Sequence, residues 1–412
     1  MHVNSYGESI DWLFQQFPSY QLIGSKAYKP TLENITKICQ FIGNPEKQLR
    51  FIHIAGTNGK GSCSAMLASI LKESGEKVGL FTSPHIKDFR ERIRINGEMI
   101  AETDVVSFVE FIRSKQLDFE PSFFEITFAL ALDHFRKSNC TICVIETGLG
   151  GRLDATNIIQ PLACLITNIS LEHTQILGDT LGEIAGEKAG IIKNNTPVLI
   201  GETVDETENV FREFAASKHA PIYLAKDLIA QEQLEKYQIP LLGSYQKLNL
   251  RSVLGVLDLV KAVFPTVHSQ TIQRGLDNLH TNTGFFGRMQ IMNRQPLVIY
   301  DVSHNYDGIK ATLAHVQANL SGELYLLYGS SADKDVLPIL ALFPESAHLH
   351  LTTFNNQRSL KVDQLTNLLT QSAKKALIHT DPKLGLNHIR SLAKAEDTLL
   401  VFGSFFLLID LM

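Results

Sequence analysis

Between Gly56 and Ser62 the chain reads GTNGKGS, with three glycines around Lys60. Glycine permits positive φ and close backbone approach, so successive N–H groups can turn inward on an anion. The run Phe51–Ala55 before the loop is short and apolar, and a helical pattern follows it. That places the loop at a strand-to-helix turn, where the helix N-terminus adds its dipole. Lys60 is then a mobile point charge for the outer phosphates of a nucleotide. The loop departs from the common G-x-x-x-x-G-K-[ST] pattern: position 54 is Ile, and Gly61 separates Lys60 from Ser62. An ordinary glycine-rich turn would use the same residues, but the flanking strand and helix favour phosphate.

Glu146 ends the apolar run Ile142–Glu146 and precedes Gly148, Gly150 and Gly151. Ligands of open α/β sheets bind beyond the carboxyl ends of the strands, and an acidic group there suits Mg²⁺, a hard cation that prefers oxygen. Asp301 and His304 stand in the same way at the end of the strand pattern Leu297–Asp301. His173 fits a ligand or a satisfied polar histidine, and the sequence by itself favours Lys188 as a surface lysine in a helical turn. Cys140 and Cys143 form one CxxC that enters a strand pattern, and a closed zinc site would need two more ligands.

Strand patterns at Val78–Thr82, Ile142–Glu146, Ala163–Thr167 and Pro197–Gly201 alternate with helical ones around 102–115, 124–136, 252–264 and 269–279. Alternating β and α predicts a parallel sheet covered on both faces. The stretch Thr281–Gly287 reads as a turn or linker. A second βα series follows, with strands at Leu297–Asp301, Leu324–Tyr328, His348–Thr352, Ala376–Thr380 and Thr398–Phe402. The expected architecture is an α/β protein: an N-terminal P-loop ATPase domain with a parallel sheet over 1–290, and a smaller C-terminal Rossmann-like domain over 296–412. The boundary falls near Arg288–Pro296.

With 412 residues, 38 basic and 43 acidic groups, the chain is large enough for more than one core and carries a net charge of −5. No basic run marks a nucleic-acid or anionic-membrane surface, so phosphate must be held by local geometry. Met1–Gln16 lacks the basic and apolar regions of a signal peptide, and no run of about 18 apolar residues spans a membrane. Five irregularly spaced cysteines suit reduced thiols in a cytoplasm.

The run His53–Ser62 (HIAGTNGKGS) resembles the nucleotide loop of folylpolyglutamate synthases, members of the wider Mur ligase superfamily. The resemblance continues in order through Leu80–Ile93 (LFTSPHIKDFRERI), Phe124–Glu125, Ile145–Asn157 (IETGLGGRLDATN), Thr167–Gly178 (TNISLEHTQILG), Ile184–Lys193 (IAGEKAGIIK), Gln246–Asn249, Gly287–Arg288, Asp301–Asn305 (DVSHN) and Gly403–Leu408. It covers nearly the whole chain. One departure is Val302-Ser303, where the family commonly has Gly-Ala or similar.

The resemblance implies an ATP-dependent ligase that joins L-glutamate to folate, and to dihydropteroate, through an acyl phosphate. Mg²⁺ would be held by Ser83, Glu146 and His173, with Ser62 contributing and K⁺ as a further ion. Catalytic roles fall to Lys60, His173 and Lys188, the last matching a lysine carbamylated by CO₂. ATP would meet Gly56, Thr57, Asn58, Gly59, Lys60, Gly61, Ser62, Asn249 (paired with Gln246), Arg288, Asp301 and His304. The pterin or folate would lie by Thr82, Ser83, Pro84, His85 and Arg92, with Arg94 near, and by Asp154, Ala155, Thr156 and Asn157. Lys334 and Arg358 would meet glutamate or a closed nucleotide interface. The expected enzyme is a cytoplasmic monomer without nucleic-acid or membrane partners. Its rivals are another Mur-type ligase acting on cell-wall precursors and a catalytically silent ATP-binding module.

Overall fold

The computed structural model describes residues 5–19, 24 and 30–412; residues 1–4 of the signal-peptide reading lie outside the described residues. The chain divides into two compact units, residues 1–240 with 246–285, and residues 241–245 with 286–412.

The first unit is built on an eight-stranded sheet. Its strands are β1 (Phe51–Ala55), β2 (Val78–Phe81), β3 (Ile93–Ile95), β4 (Glu98–Met99), β5 (Ile142–Glu146), β6 (Ala163–Ile166), β7 (Val198–Ile200) and β8 (Ile222–Leu224). The order is β4-β3-β2-β5-β1-β6-β7-β8. All pairings from β2 to β8 are parallel, whereas β3 and β4 add an antiparallel edge. Strands β1 and β5 are buried along their whole length, as apolar runs in a parallel sheet covered by helices should be. One core packs Phe81, Phe128 and Phe135 on one side, and another packs Ile166, Ile200 and Phe211.

The loops after β1, β2, β5 and β6 all leave the same, carboxyl edge, because these strands are mutually parallel. Three segments separated by about a hundred residues of chain therefore meet around the glycine-rich loop.

The second unit has a six-stranded sheet in the order β13-β12-β11-β14-β10-β9. Here β9 is Gln290–Arg294, β10 Leu297–Tyr300, β11 Leu324–Tyr328, β12 His348–Thr352, β13 Leu377–His379 and β14 Thr398–Phe402. Only β9 runs antiparallel. Tyr328, Leu400 and Phe402 centre its core. Two readings of sequence shift here. Residues 290–294, inside the expected domain boundary, form an edge strand whose side chains are largely exposed, so no apolar alternation betrays it. Residues Leu279–Thr283 form a short helix that ends at Gly284 in the left-handed region.

Candidate active site

The glycine-rich loop is fixed from two sides. Gly56 has φ +144°, and a Cβ there would lie 1.8 Å from Thr167 Oγ1. Gly59 has φ +85°, and its Cβ would lie 2.3 Å from Asn249 Oδ1. Glycine is required at both positions by conformation and by space. The loop after β6 then laces onto it. Thr57 N–H donates to Asn168 O, Asn58 N–H to Asn168 Oδ1, and the Thr167 hydroxyl to Asn58 O. Thr57 and Ser170 bond to each other through hydroxyl and backbone.

The helix Lys60–Glu73 begins inside the motif, so Gly61 and Ser62 occupy its first turn. Lys60 Nζ donates to Gly56 O at 2.9 Å and Thr57 O at 3.0 Å. Gln246 Nε2 reaches Ser62 Oγ at 3.5 Å, and Asn249 Nδ2 donates to Gln246 Oε1. The Gln246/Asn249 pair of the helix Gln246–Leu259 thus backs the loop.

Lys188 joins the same site. It is only 4% exposed, and its Nζ donates to Gly56 O at 2.9 Å. Burial pushes its pKa down to about 7; the Lys60 charge adds to that, while Glu172 and Asp154 oppose it. The surface-lysine reading is therefore overturned. The clue lay in helix spacing: Ile184, Ala185, Lys188 and Ala189 share the buried face of Leu181–Ala189.

Glu146 is buried at the end of β5, and its carboxylate accepts the Ser83 backbone N–H at 3.2 Å. His173 caps a short helix at φ +53°, with Nε2 3.8 Å from Glu172 Oε1. The Glu146 carboxylate with the Ser83 and Ser62 hydroxyls is the oxygen-rich chemistry magnesium prefers, completed by phosphate oxygens, with the His173 imidazole the exception; among the described residues no three acidic, histidine or cysteine groups converge on one point.

Next to Glu146, the 148–157 loop folds on Asp154. Its Oδ2 accepts Gly148 N–H and Leu149 N–H, and its Oδ1 accepts Thr156 N–H and the Thr156 hydroxyl. Burial raises its pKa, and these bonds resist that. Because the Thr156 hydroxyl is used on Asp154, His53 Nε2–H must be the donor in the 2.9 Å bond to Thr156. His53 is fully buried, which lowers its pKa to about 3. Ala155 is buried in the same turn, and Asn157 donates to Arg152 O and Gly190 O.

Across the loop, Thr82 N–H donates to Arg92 O. Arg92 is 3% exposed, donates to His85 Nδ1 at 2.8 Å and lies over the Phe123 ring at 5.6 Å. Burial lowers the Arg92 pKa to about 10; burial and the Arg92 charge hold His85 near 3. Pro84 follows Ser83 through a cis peptide bond. Arg94 donates to Gly97 O in the β3–β4 turn. Glu125 closes a capping box with Ser122, which fixes Phe124 against Gly148, where a Cβ would meet the ring at 2.6 Å. Phe124 stands in the sequence motif Phe124–Glu125 without a role of its own, and Phe123 is not singled out there.

In the second unit, Arg288 lies over Phe405 at 5.2 Å, and His304 meets the same ring at 6.0 Å. His304 Nδ1 bonds to Val302 O, so Nδ1 carries the proton. Asp301 is buried and accepts from Met289 N–H, Ser303 N–H and Thr312 Oγ1. Phe405 was not foreseen individually, although it lies in the Gly403–Leu408 motif. Arg358 pairs with Asp333 at 2.8 Å, and Lys334 N–H donates to Ser331 O.

The model of the Mur ligase middle domain matches residues 54–257, and that of the Mur ligase glutamate ligase domain matches residues 287–405. The dihydrofolate synthase/folylpolyglutamate synthase of Bacillus subtilis is 32% identical over 93% of this chain and 94% of its own length. The chain belongs to the folylpolyglutamate and dihydrofolate synthase family of Mur ligases. A probable bifunctional folylpolyglutamate synthase/dihydropteroate synthase of Haloferax volcanii is 32% identical over 98% of this chain, which spans half of that longer protein. Among solved members of this synthase family, Escherichia coli FolC in complex with DHPP and ADP superposes with a TM-score of 0.85 at 26% identity, covering 99% of this chain and 97% of that one. A bifunctional folylpolyglutamate synthase/dihydrofolate synthase with Mn, AMPPNP and L-glutamate bound gives 0.84 at 25% identity, covering 100% and 99%. No helix among the described residues of this synthase is long and apolar enough to cross a membrane.

Proposed function

We propose that this chain attaches L-glutamate to the carboxylate of a folate, and of dihydropteroate, with ATP cleaved to ADP and phosphate. The observation that carries this is the convergence of Lys60 and Lys188 on Gly56 O, in a loop flanked by the buried Glu146 and the Asp154-braced turn.

Lys60 leaves its carbonyls for the β- and γ-phosphates, and the N–H groups of residues 56–62 cradle them. The acceptor carboxylate oxygen attacks the γ-phosphorus, the bond to the β–γ bridging oxygen breaks, and ADP leaves. Phosphoryl transfer asks for positioning and charge neutralisation, which Lys60 and the amide cradle supply. The glutamate amine then attacks the acyl carbon and loses a proton, and phosphate departs. Glu146, Ser83, His173 and Ser62 would hold magnesium, whose charge neutralises phosphate oxygens when it is bound.

Lys188 is carbamylated in this reading. The ammonium first gives up one proton; the neutral amine nitrogen then bonds to the carbon of CO₂ and releases a second, so a cation becomes an anion. Its burial and lowered pKa support this, since only the neutral amine reacts. Arg92, His85, Phe123 and Phe124 flank the acceptor, while Arg288, Asp301, His304 and Asn249 serve ATP. Lys334 and Arg358 serve glutamate. The ATPase domain expected over 1–290 and the C-terminal domain over 296–412 are taken as the two compact units, with residues 241–245 and 286–290 going to the second, and the enzyme acts as a monomer. Five buried free cysteines support a cytoplasmic location.

Acceptor labelled with ¹⁸O in its carboxylate tests the route. One label per turnover appears in inorganic phosphate if the acyl phosphate forms; unlabelled phosphate overturns it.

A further inference from the structure

Three histidines from three elements of the second unit gather on one face of its sheet. His350 lies on β12, His379 on β13 and His388 on the helix Pro382–Leu392. Register places His350 opposite Leu377, and Thr352 opposite His379, so His350 and His379 project from the same face. Nδ1 of His350 stands 2.9 Å from Nε2 of His379. The ring centroids are 5.2 Å apart for His350–His379, 5.7 Å for His350–His388 and 5.6 Å for His379–His388. The helix comes this close because Gly385, one turn before His388, has no side chain. A Cβ there would lie 3.0 Å from Leu327 Cδ1 and 3.1 Å from the His379 ring. The cluster has a floor and a mouth: His350 is buried, His379 half-buried and His388 exposed.

We infer that His350, His379 and His388 form a nitrogen-donor site for a late first-row divalent cation such as zinc, cobalt or nickel. An imidazole nitrogen sits about 2.0–2.1 Å from such an ion, and the ring centre lies about 1.1 Å further on, so three rings at tetrahedral angles have centroids spaced by about 5 Å. The three observed spacings have the size of that triangle; the His350–His379 spacing is at present set by the head-on hydrogen bond between two nearly parallel rings, 10° apart, so the two rings tilt apart to admit the ion. In the arrangement described, His350 and His379 face each other across a hydrogen bond, and among the described residues no three such groups yet converge on one point. The cation takes the place of the shared hydrogen. The donor ring moves its proton to its other nitrogen, so neutral rings release none.

His348 lies outside the triad. It stacks on Tyr325 at 4.6 Å and stands 3.5 Å from Glu323. Imidazole donors select late transition metals, whereas magnesium prefers oxygen and does not compete. Such an ion would staple the edge strand β13 to its neighbour and to the covering helix.

Full-length protein stripped of metal is titrated with Co²⁺ at pH 7.5 without nucleotide, and the visible ligand-field absorption is followed. One cobalt per chain, with the intense bands of four- or five-coordinate Co²⁺, is expected and persists in excess Mg²⁺. His379→Gln and His388→Gln should each weaken it at least ten-fold. Because His388 is exposed, His388→Gln folds, which circular dichroism and an unchanged ligation rate verify. No such band, or a band undiminished in His388→Gln, overturns the site.

Discussion

Lys60 and Lys188 donate to one and the same oxygen, the carbonyl of Gly56, each at 2.9 Å. Burial brings Lys188 down to about 7, and the repulsion between two ammonium groups so placed adds to this. A lysine with a lowered pKa is neutral above that value. With ¹³C-bicarbonate, the carbamate signal of the protein should therefore rise with pH through a midpoint near 7 and vanish in Lys188→Arg. A signal appearing only near the ordinary lysine pKa, or none, contradicts this account of Lys188.

Among the described residues, Lys60 bonds to its own loop, through Gly56 O and Thr57 O. Removing it should spare the fold and impair phosphoryl transfer. Lys60→Met is expected to lower kcat by about 10²–10³-fold, the usual loss for one preorganised electrostatic group. Steady-state ADP release checks this, and an unaltered kcat would show that the lysine is idle.

Asp154 accepts four hydrogen bonds, three from backbone N–H groups. In Asp154→Asn the new NH₂ faces donors. The expected loss is about 1–3 kcal/mol of stability together with a raised KM for the acceptor. Urea unfolding beside acceptor titration measures both; an unshifted midpoint would remove Asp154 as the brace of the loop.

The sequence shows the frame of this site more readily than its bracing. Strands β1, β5, β11 and β14 appear at their observed ends because buried parallel strands are nearly continuous apolar runs, and β12 does so although His348 and His350 interrupt it. The loop around Lys60 is equally plain, since its conformation depends on its own glycines. The lacing of Asn58 to Asn168, and of His53 to Thr156, joins residues about a hundred positions apart and leaves no local pattern. The antiparallel edge strands β3 and β4 hold only 3 and 2 residues, and β9 is largely exposed, so periodicity does not announce them.

His53 offers a pH test. It is neutral in the folded chain down to about 3, whereas the unfolded chain takes a proton near the ordinary histidine value of 6.5. Between these values the unfolded state binds more protons, so stability falls as pH falls, by at most about 1.4 kcal/mol per pH unit from this group. His53→Gln keeps a donor for Thr156 and removes the titration. Urea unfolding at pH 5 and pH 7 should show a smaller acid loss in the variant; an equal loss would assign the effect elsewhere.

The most direct test of the whole account is ADP release with ATP, Mg²⁺ and L-glutamate, comparing dihydropteroate with tetrahydrofolate and weighing the product. The account predicts turnover that needs both glutamate and acceptor, with each product heavier by one glutamyl residue. Turnover with tetrahydrofolate alone would restrict the enzyme to chain extension. Silence with both acceptors, in protein that binds ATP, would contradict the assignment of its substrate.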